Sequence, residues 1–123
     1  MAKKEFIAIY HNPRCGKSRK ALKVLQQSGK EINIVEYLKN PLTALEIKKL
    51  VKKLNMSPFD IIRTNELVYK ENYAGKLITD QDYIEAIATH PILMERPIVE
   101  IGAKAWIIRS EDALKYLKQL LTQ

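Results

Sequence analysis

Tyr10-His11-Asn12-Pro13-Arg14-Cys15-Gly16-Lys17-Ser18-Arg19 holds the only cysteine of the chain and stands at a change of pattern. Before it, Phe6-Ile7-Ala8-Ile9-Tyr10 reads as a buried strand. After it, from about Lys17, Ala21, Leu22, Val24 and Leu25 fall on one side of a helix. An Asn-Pro turn and a glycine join the two. Cys15 therefore stands at a helix start, where unpaired backbone N–H groups and the positive end of the helix dipole favour thiolate over thiol. Arg14, Lys17, Arg19 and His11 crowd the same turn and push the same way. The expectation is a thiolate-forming Cys15 that titrates below the ordinary thiol value of about 8.5. A lone cysteine is more often a small buried hydrophobe, but a polar, basic turn between Pro13 and Gly16 is poor company for a core residue.

Outward from this stretch, Ser28-Gly29 closes the helix, with Gly29 as the cap. Glu31 to Tyr37 reads as a second strand, with Ile32 and Ile34 on one face and Val35 and Tyr37 on the other. Strand, helix and strand in so short a run suggest a parallel pair with a right-handed crossover. Thr43-Ala44-Leu45-Glu46 is a capping box opening a helix with Leu45, Leu50, Val51 and Leu54 on its apolar side. Ser57-Pro58 starts a short helix that Phe59, Ile61 and Ile62 should anchor. A further helical piece fits Glu66 to Tyr73, and Thr79-Asp80-Gln81-Asp82 caps another. Pro97 to Ile101 and Ala105 to Ile108 read as a hairpin about Gly102-Ala103-Lys104. Ser110-Glu111-Asp112 caps a last helix carrying Ala113, Leu114, Leu117, Leu120 and Leu121.

The 123 residues make one domain of ordinary size, and 46% apolar with 28% charged residues is the composition of a soluble globular protein. A single cysteine rules out an internal disulfide framework and fits a reducing compartment. The run after Met1-Ala2-Lys3-Lys4-Glu5 is too short for a signal peptide, and no stretch could span a bilayer, so the cytoplasm is expected. The formal charge of +7 asks for an anionic partner. Much of it, at Lys48-Lys49, Lys52-Lys53, Lys115 and Lys118, falls on polar faces of helices. No nucleic-acid motif accompanies the charge, which argues against that partner. Two histidines far apart and one cysteine give a metal site little support.

Cys15-Gly16-Lys17-Ser18 is half of a Cys-x-x-Cys pair, with Ser18 where a second sulfur would stand. No internal disulfide can form, so any covalent intermediate on Cys15 must be resolved by an external thiol. His11-Asn12-Pro13-Arg14-Cys15-Gly16-Lys17-Ser18-Arg19 resembles the active-site segment of the glutaredoxin-coupled arsenate reductases, a branch of the thioredoxin-like fold. A second match lies at His90-Pro91-Ile92-Leu93-Met94-Glu95-Arg96-Pro97-Ile98-Val99.

The resemblance implies an α/β thioredoxin-like fold, a small mixed sheet with flanking helices, in one domain over 1–123 with a helical insertion at about 43–89. It implies that Cys15 attacks arsenate, that glutathione joins the adduct as external donor with no bound cofactor, and that glutaredoxin removes it to release arsenite. Arg63, Arg96 and Arg109 match its oxyanion ligands, a task suited to a planar, permanently charged guanidinium. Taken alone, Arg63 or Arg109, an arginine after an apolar run, is most often a surface or helix-end residue; Arg96 is the stronger candidate because Pro97 follows it. His11 would assist the thiolate by charge or hydrogen bonding, Asn12 and Ser18 would support the turn, and Pro97 would follow a cis bond facing the cysteine. His90 reads as structural. The chain departs from the pattern at Arg14 and Lys17, where smaller residues are usual, and it stops soon after the last helix.

Two other readings stand beside this one. Spx-type regulators share the fold and bind RNA polymerase, and a basic face would suit that role, although many carry the Cys-x-x-Cys switch this chain lacks. A glutathione-linked thiol oxidoreductase acting on mixed disulfides would need Cys15 but would tolerate loss of Arg63 or Arg109.

Overall fold

Ile7–Tyr10 forms strand β1, the first element of a computed structural model that describes residues 5–76 and 78–122. The Met1–Lys4 part of the sequence reading lies outside the described residues. The apolar run of β1 is buried because the strand is central: the sheet order is β2-β1-β3-β4, with β2 at Asn33–Val35, β3 at Ile98–Ile101 and β4 at Lys104–Ile107. β1 pairs with β2 in parallel, Ile9 opposite Ile34, and with β3 in antiparallel, Ile9 opposite Val99. Helix α1, Gly16–Gln27, makes the crossover between β1 and β2. It ends at Ser28 and at Gly29, whose φ of 74° is one that a side chain disfavours.

β3 and β4 make the expected hairpin, with Ile101 opposite Lys104 across Gly102-Ala103. A φ of 59° at Gly102 is the positive value that the first central position of a type II′ turn requires. The last helix, α5 at Glu111–Leu121, starts where Ser110 Oγ accepts the Ala113 N–H at 3.0 Å. Ile7, Ile9 and Val99 share one face of the sheet, and Ala21 and Leu25 of α1 and Leu117 of α5 pack onto it. Leu25 and Leu117 are completely buried, so truncating either to alanine costs about 2–5 kcal/mol. The opposite face is buried too, at Ala8, Ile98 and Glu100. Glu100 accepts the Tyr10 hydroxyl proton at 2.7 Å.

These elements belong to one compact unit, made of the chain up to Tyr37 and from Arg96 onward; Leu38–Glu95 form a second. Here α2, Ala44–Leu54, carries the reciprocal Thr43–Glu46 cap, and α4, Asp80–Thr89, carries the same device with Thr79 and Asp82. Between them lie a 3-10 turn at Pro58–Ile61 and α3, Leu67–Asn72. The Ser57–Pro58 start is as expected, but the turn is 3-10 and only four residues long.

Three apolar assignments need correction. Phe6, read as part of the buried first strand, is 52% exposed and precedes β1. Leu45 is 62% exposed, and Ile47 takes its place in the buried stripe Ile47, Leu50, Val51 and Leu54. At about 100° per residue Leu45 stands some 200° from Ile47 and faces away. Phe59 is exposed rather than an anchor, its ring 5.2 Å from Tyr83 and 6.5 Å from Tyr69; Ile61 and Ile62 are buried as expected. The second strand is also shorter than the 31–37 run, and Ile34 on it is exposed, because β2 is an edge strand.

Candidate active site

The turn after β1 is built by hydrogen bonds that its own residue types supply. His11 N–H donates to Val35 O at 2.8 Å and ties the end of β1 to β2. Pro13 has no N–H to place, and Asn12 closes the turn around it. The Asn12 side-chain oxygen accepts from Arg14 N–H at 3.0 Å, and its carbonyl accepts from Cys15 N–H at 3.0 Å. Arg19 reaches back from the helix and donates to Pro13 O at 2.9 Å. Cys15 is thereby fixed as the N-cap of α1, in extended conformation, with its carbonyl accepting the Arg19 N–H at 3.0 Å.

Burial pushes the Cys15 thiol up, but the backbone N–H groups of Ser18 and Lys17, and the charge and hydrogen bond of Arg96, outweigh it and hold the pKa below the ordinary cysteine value. Arg96 stands at the entry to β3, immediately before a cis bond to the buried Pro97. Pro97 is held in turn by its carbonyl, which accepts Ile108 N–H at 3.0 Å. The Arg96 Nε is buried with no hydrogen-bond partner among the described residues. A guanidinium on the sulfur with a donor to spare is suited to an oxygen-bearing anion attached there.

Ser18 is completely inaccessible, and its hydroxyl does not serve the sulfur. It accepts the Asn12 N–H at 3.0 Å and lies 2.6 Å from His11 Nδ1. The Ser18 hydroxyl thus shares a hydrogen bond with His11 Nδ1 while accepting the Asn12 N–H. Burial holds the His11 pKa below 6.5; Glu36 opposes this and Arg19 adds to it. His11 is hydrogen-bonded to Ser18, whose backbone N–H faces the sulfur.

The structure brings Cys15, His11, Asn12, Ser18, Arg96 and Pro97 together. Arg63 lies in the other unit, where Nη1 is 2.6 Å from Glu66, Nε is 3.9 Å from Glu95, and Nη1 donates to Ile92 O at 3.3 Å. Arg109 follows β4 and is exposed. His90 ends α4, its N–H donating to Ala86 O at 2.8 Å and its ring edge-on to Tyr73. Sequence reading missed Glu66 and Glu95. The first has a local mark in its three-residue spacing from Arg63, and the second has none. The described residues hold no group of three potential metal ligands, and no helix among them is long and apolar enough to cross a membrane.

A cysteine of lowered pKa at the head of α1, an arginine before a cis proline and a small mixed sheet are what the sequence led us to expect. The family model of the ArsC family matches residues 10–117. The chain belongs to the ArsC family. Among curated proteins it is 43% identical over 108 residues to the uncharacterized protein YfgD of Escherichia coli K12, covering 86% of this chain and 91% of that one. It is 42% identical over 94 residues to an arsenate reductase of the same organism, covering 76% of this chain and 67% of the relative. A solved arsenate reductase from Vibrio cholerae superposes with a TM-score of 0.83 at 31% identity, over 95% of this chain and 98% of that one. As an ArsC-family member the chain has the thioredoxin-like fold, with a mixed four-stranded sheet and flanking helices.

Proposed function

We infer that the protein reduces arsenate to arsenite, with Cys15 as nucleophile. The observation that carries this is Arg96, which lowers the Cys15 pKa by charge and hydrogen bond while leaving a buried Nε without a partner. Family membership and the names of its relatives support the choice of anion.

In this scheme the Cys15 thiolate attacks arsenic(V) and an arsenic oxygen leaves as water after protonation. Arg96 and the backbone N–H groups of Lys17 and Ser18 offset the charge that gathers on the adduct. Glutathione then adds its sulfur to arsenic and a second water leaves. A glutaredoxin thiolate attacks the glutathione sulfur, forming a mixed disulfide on glutaredoxin. The electron pair of the broken arsenic–sulfur bond stays on arsenic, which passes from V to III. Water displaces the Cys15 thiolate and arsenite departs. Ser18 in place of a second cysteine supports an external donor, since the chain cannot form its own disulfide. Arg63 and Arg109 enter as further anion ligands on the family resemblance alone. No bound cofactor takes part, and the cytoplasm, where glutathione is reduced, suits the reaction.

The test is arsenate-dependent NADPH oxidation with glutathione, glutaredoxin and glutathione reductase supplied. Turnover should vanish in Cys15→Ser and fall at least a hundredfold in Arg96→Ala, the scale of losing one preorganised charge donor. Absence of turnover in the wild type, with Cys15 reactive, would overturn the arsenate assignment.

A further inference from the structure

Four cations crowd the head of α1, and the structure separates them. Arg19 is engaged with Pro13 O at 2.9 Å, and Lys20 lies 3.6 Å from Glu111. Arg14 and Lys17 remain, one residue before Cys15 and two after it. Both are exposed, and neither side chain has a hydrogen bond or ion pair among the described residues. The turn that carries them is held rigid by Asn12, Ser18 and Arg19, so their positions relative to the sulfur are fixed at the backbone.

We propose that Arg14 and Lys17 form a carboxylate-binding rim that selects the second reactant at Cys15, a thiol carrying free carboxylates. The inference deepens the proposed function and rests on Cys15 as the nucleophile. The first reactant is bonded to the sulfur and must meet the groups that touch it, which are the Lys17 and Ser18 N–H and Arg96. Its charge needs nothing from two long side chains that reach outward. The second reactant has the opposite problem. A thiolate approaching an adduct that already carries negative charge is repelled, and further carboxylates on it worsen the repulsion. Two exposed cations without a side-chain partner among the described residues, carried one residue before Cys15 and two after it, turn that repulsion into attraction and orient the carboxylate-bearing body outside the pocket. Because Ser18 replaces the second sulfur, the resolving thiol must come from solution, and a place to receive it is chemically required.

The test uses the full chain with Cys15 converted to its mixed disulfide with nitrothiobenzoate. An incoming thiolate attacks the Cys15 sulfur, a new disulfide forms, and the nitrothiobenzoate anion leaves with the electron pair and is read by its absorbance. No arsenate is present, so this result and that of the NADPH assay can fail separately. Rates are compared for glutathione against its diethyl ester, and for mercaptopropionate against mercaptoethanol, each corrected for its thiolate fraction. The wild type should prefer the carboxylate-bearing member of each pair, and the preference should fall about fivefold in Arg14→Ala/Lys17→Ala, the size of two exposed charge contacts. It should also shrink with added salt. Lys115→Ala/Lys118→Ala removes as much charge from α5 and should retain the preference. A wild type with no preference, a double variant that keeps it, or an α5 variant that loses it equally would each overturn the proposal.

Discussion

The hydroxyl of Ser18 stands 2.6 Å from His11 Nδ1 and takes the Asn12 N–H at 3.0 Å, so one buried oxygen joins the end of β1 to the first turn of α1. Ser18→Ala removes that oxygen and leaves a buried N–H and a buried imidazole nitrogen without partners. Each orphaned group costs about 1–3 kcal/mol. The expected outcome is a lower urea midpoint with an unchanged slope, together with a Cys15 pKa that rises because the Ser18 N–H is no longer held on the sulfur. A variant as stable as the wild type would mean that the hydroxyl is dispensable.

Reactivity of Cys15 should follow its thiolate. Alkylation by iodoacetamide, followed against pH, should show a midpoint below that of the same cysteine in the unfolded chain. Arg96→Ala should move that midpoint upward, since it removes both a charge and a hydrogen bond from the sulfur. Arg96→Lys should restore part of the shift, through charge without the planar fork. A midpoint that stays put in Arg96→Ala would leave the helix N–H groups as the sole cause.

Two titrations should make the fold less stable in acid. Cys15 has a folded pKa below its unfolded one, so its contribution is complete above the ordinary thiol value and is lost as pH falls through the folded value. His11 also has a lowered pKa, by burial first, and a base that resists protonation when folded costs stability as pH falls below 6.5, where the unfolded chain takes up the proton. Both windows have the same sign. Thermal midpoints measured from pH 9 downward should fall; Cys15→Ser should flatten the upper part and His11→Gln the lower.

What could be read from the sequence was what is local in the chain. The Thr43–Glu46 and Thr79–Asp82 boxes, the Gly102 turn and the Ser110 cap each need residues three or four apart, and all formed where expected. The Cys15 turn was legible for the same reason. What depended on distant partners was not. Nothing near Ile34 says that β2 is an edge strand, nothing near Phe59 says that it meets Tyr69 and Tyr83 instead of the core, and nothing near Ser18 says that its hydroxyl meets His11. Pro97 sets Arg96 apart from Arg63 in the sequence, but whether carboxylates meet either arginine only the fold decides.

That difference yields the last prediction. Arg63 is bracketed by Glu66 and Glu95, and its side chain is only 19% exposed, so its charge is balanced inside its own unit. Removing it takes a cation from two partly buried carboxylates, and Arg63→Ala should lose about 1–3 kcal/mol of stability, the range for a charged hydrogen-bonding group that loses a partner. Arg63→Ala/Glu66→Gln should recover much of this, since it also removes the stranded charge. Arg96 has the opposite profile. With a donor unpaired, Arg96→Ala should slow Cys15 alkylation at neutral pH and lower the thermal midpoint only by the part of the Cys15 titration it removes, a difference that should close in acid, where the thiol is protonated in both proteins. Denaturation and alkylation measured on the same pair of variants separate the two roles. If Arg63→Ala is as stable as the wild type, its carboxylate contacts contribute nothing and the arginine is free to serve an anion; if Arg96→Ala unfolds the protein, the unpaired Nε is part of the scaffold instead of the site.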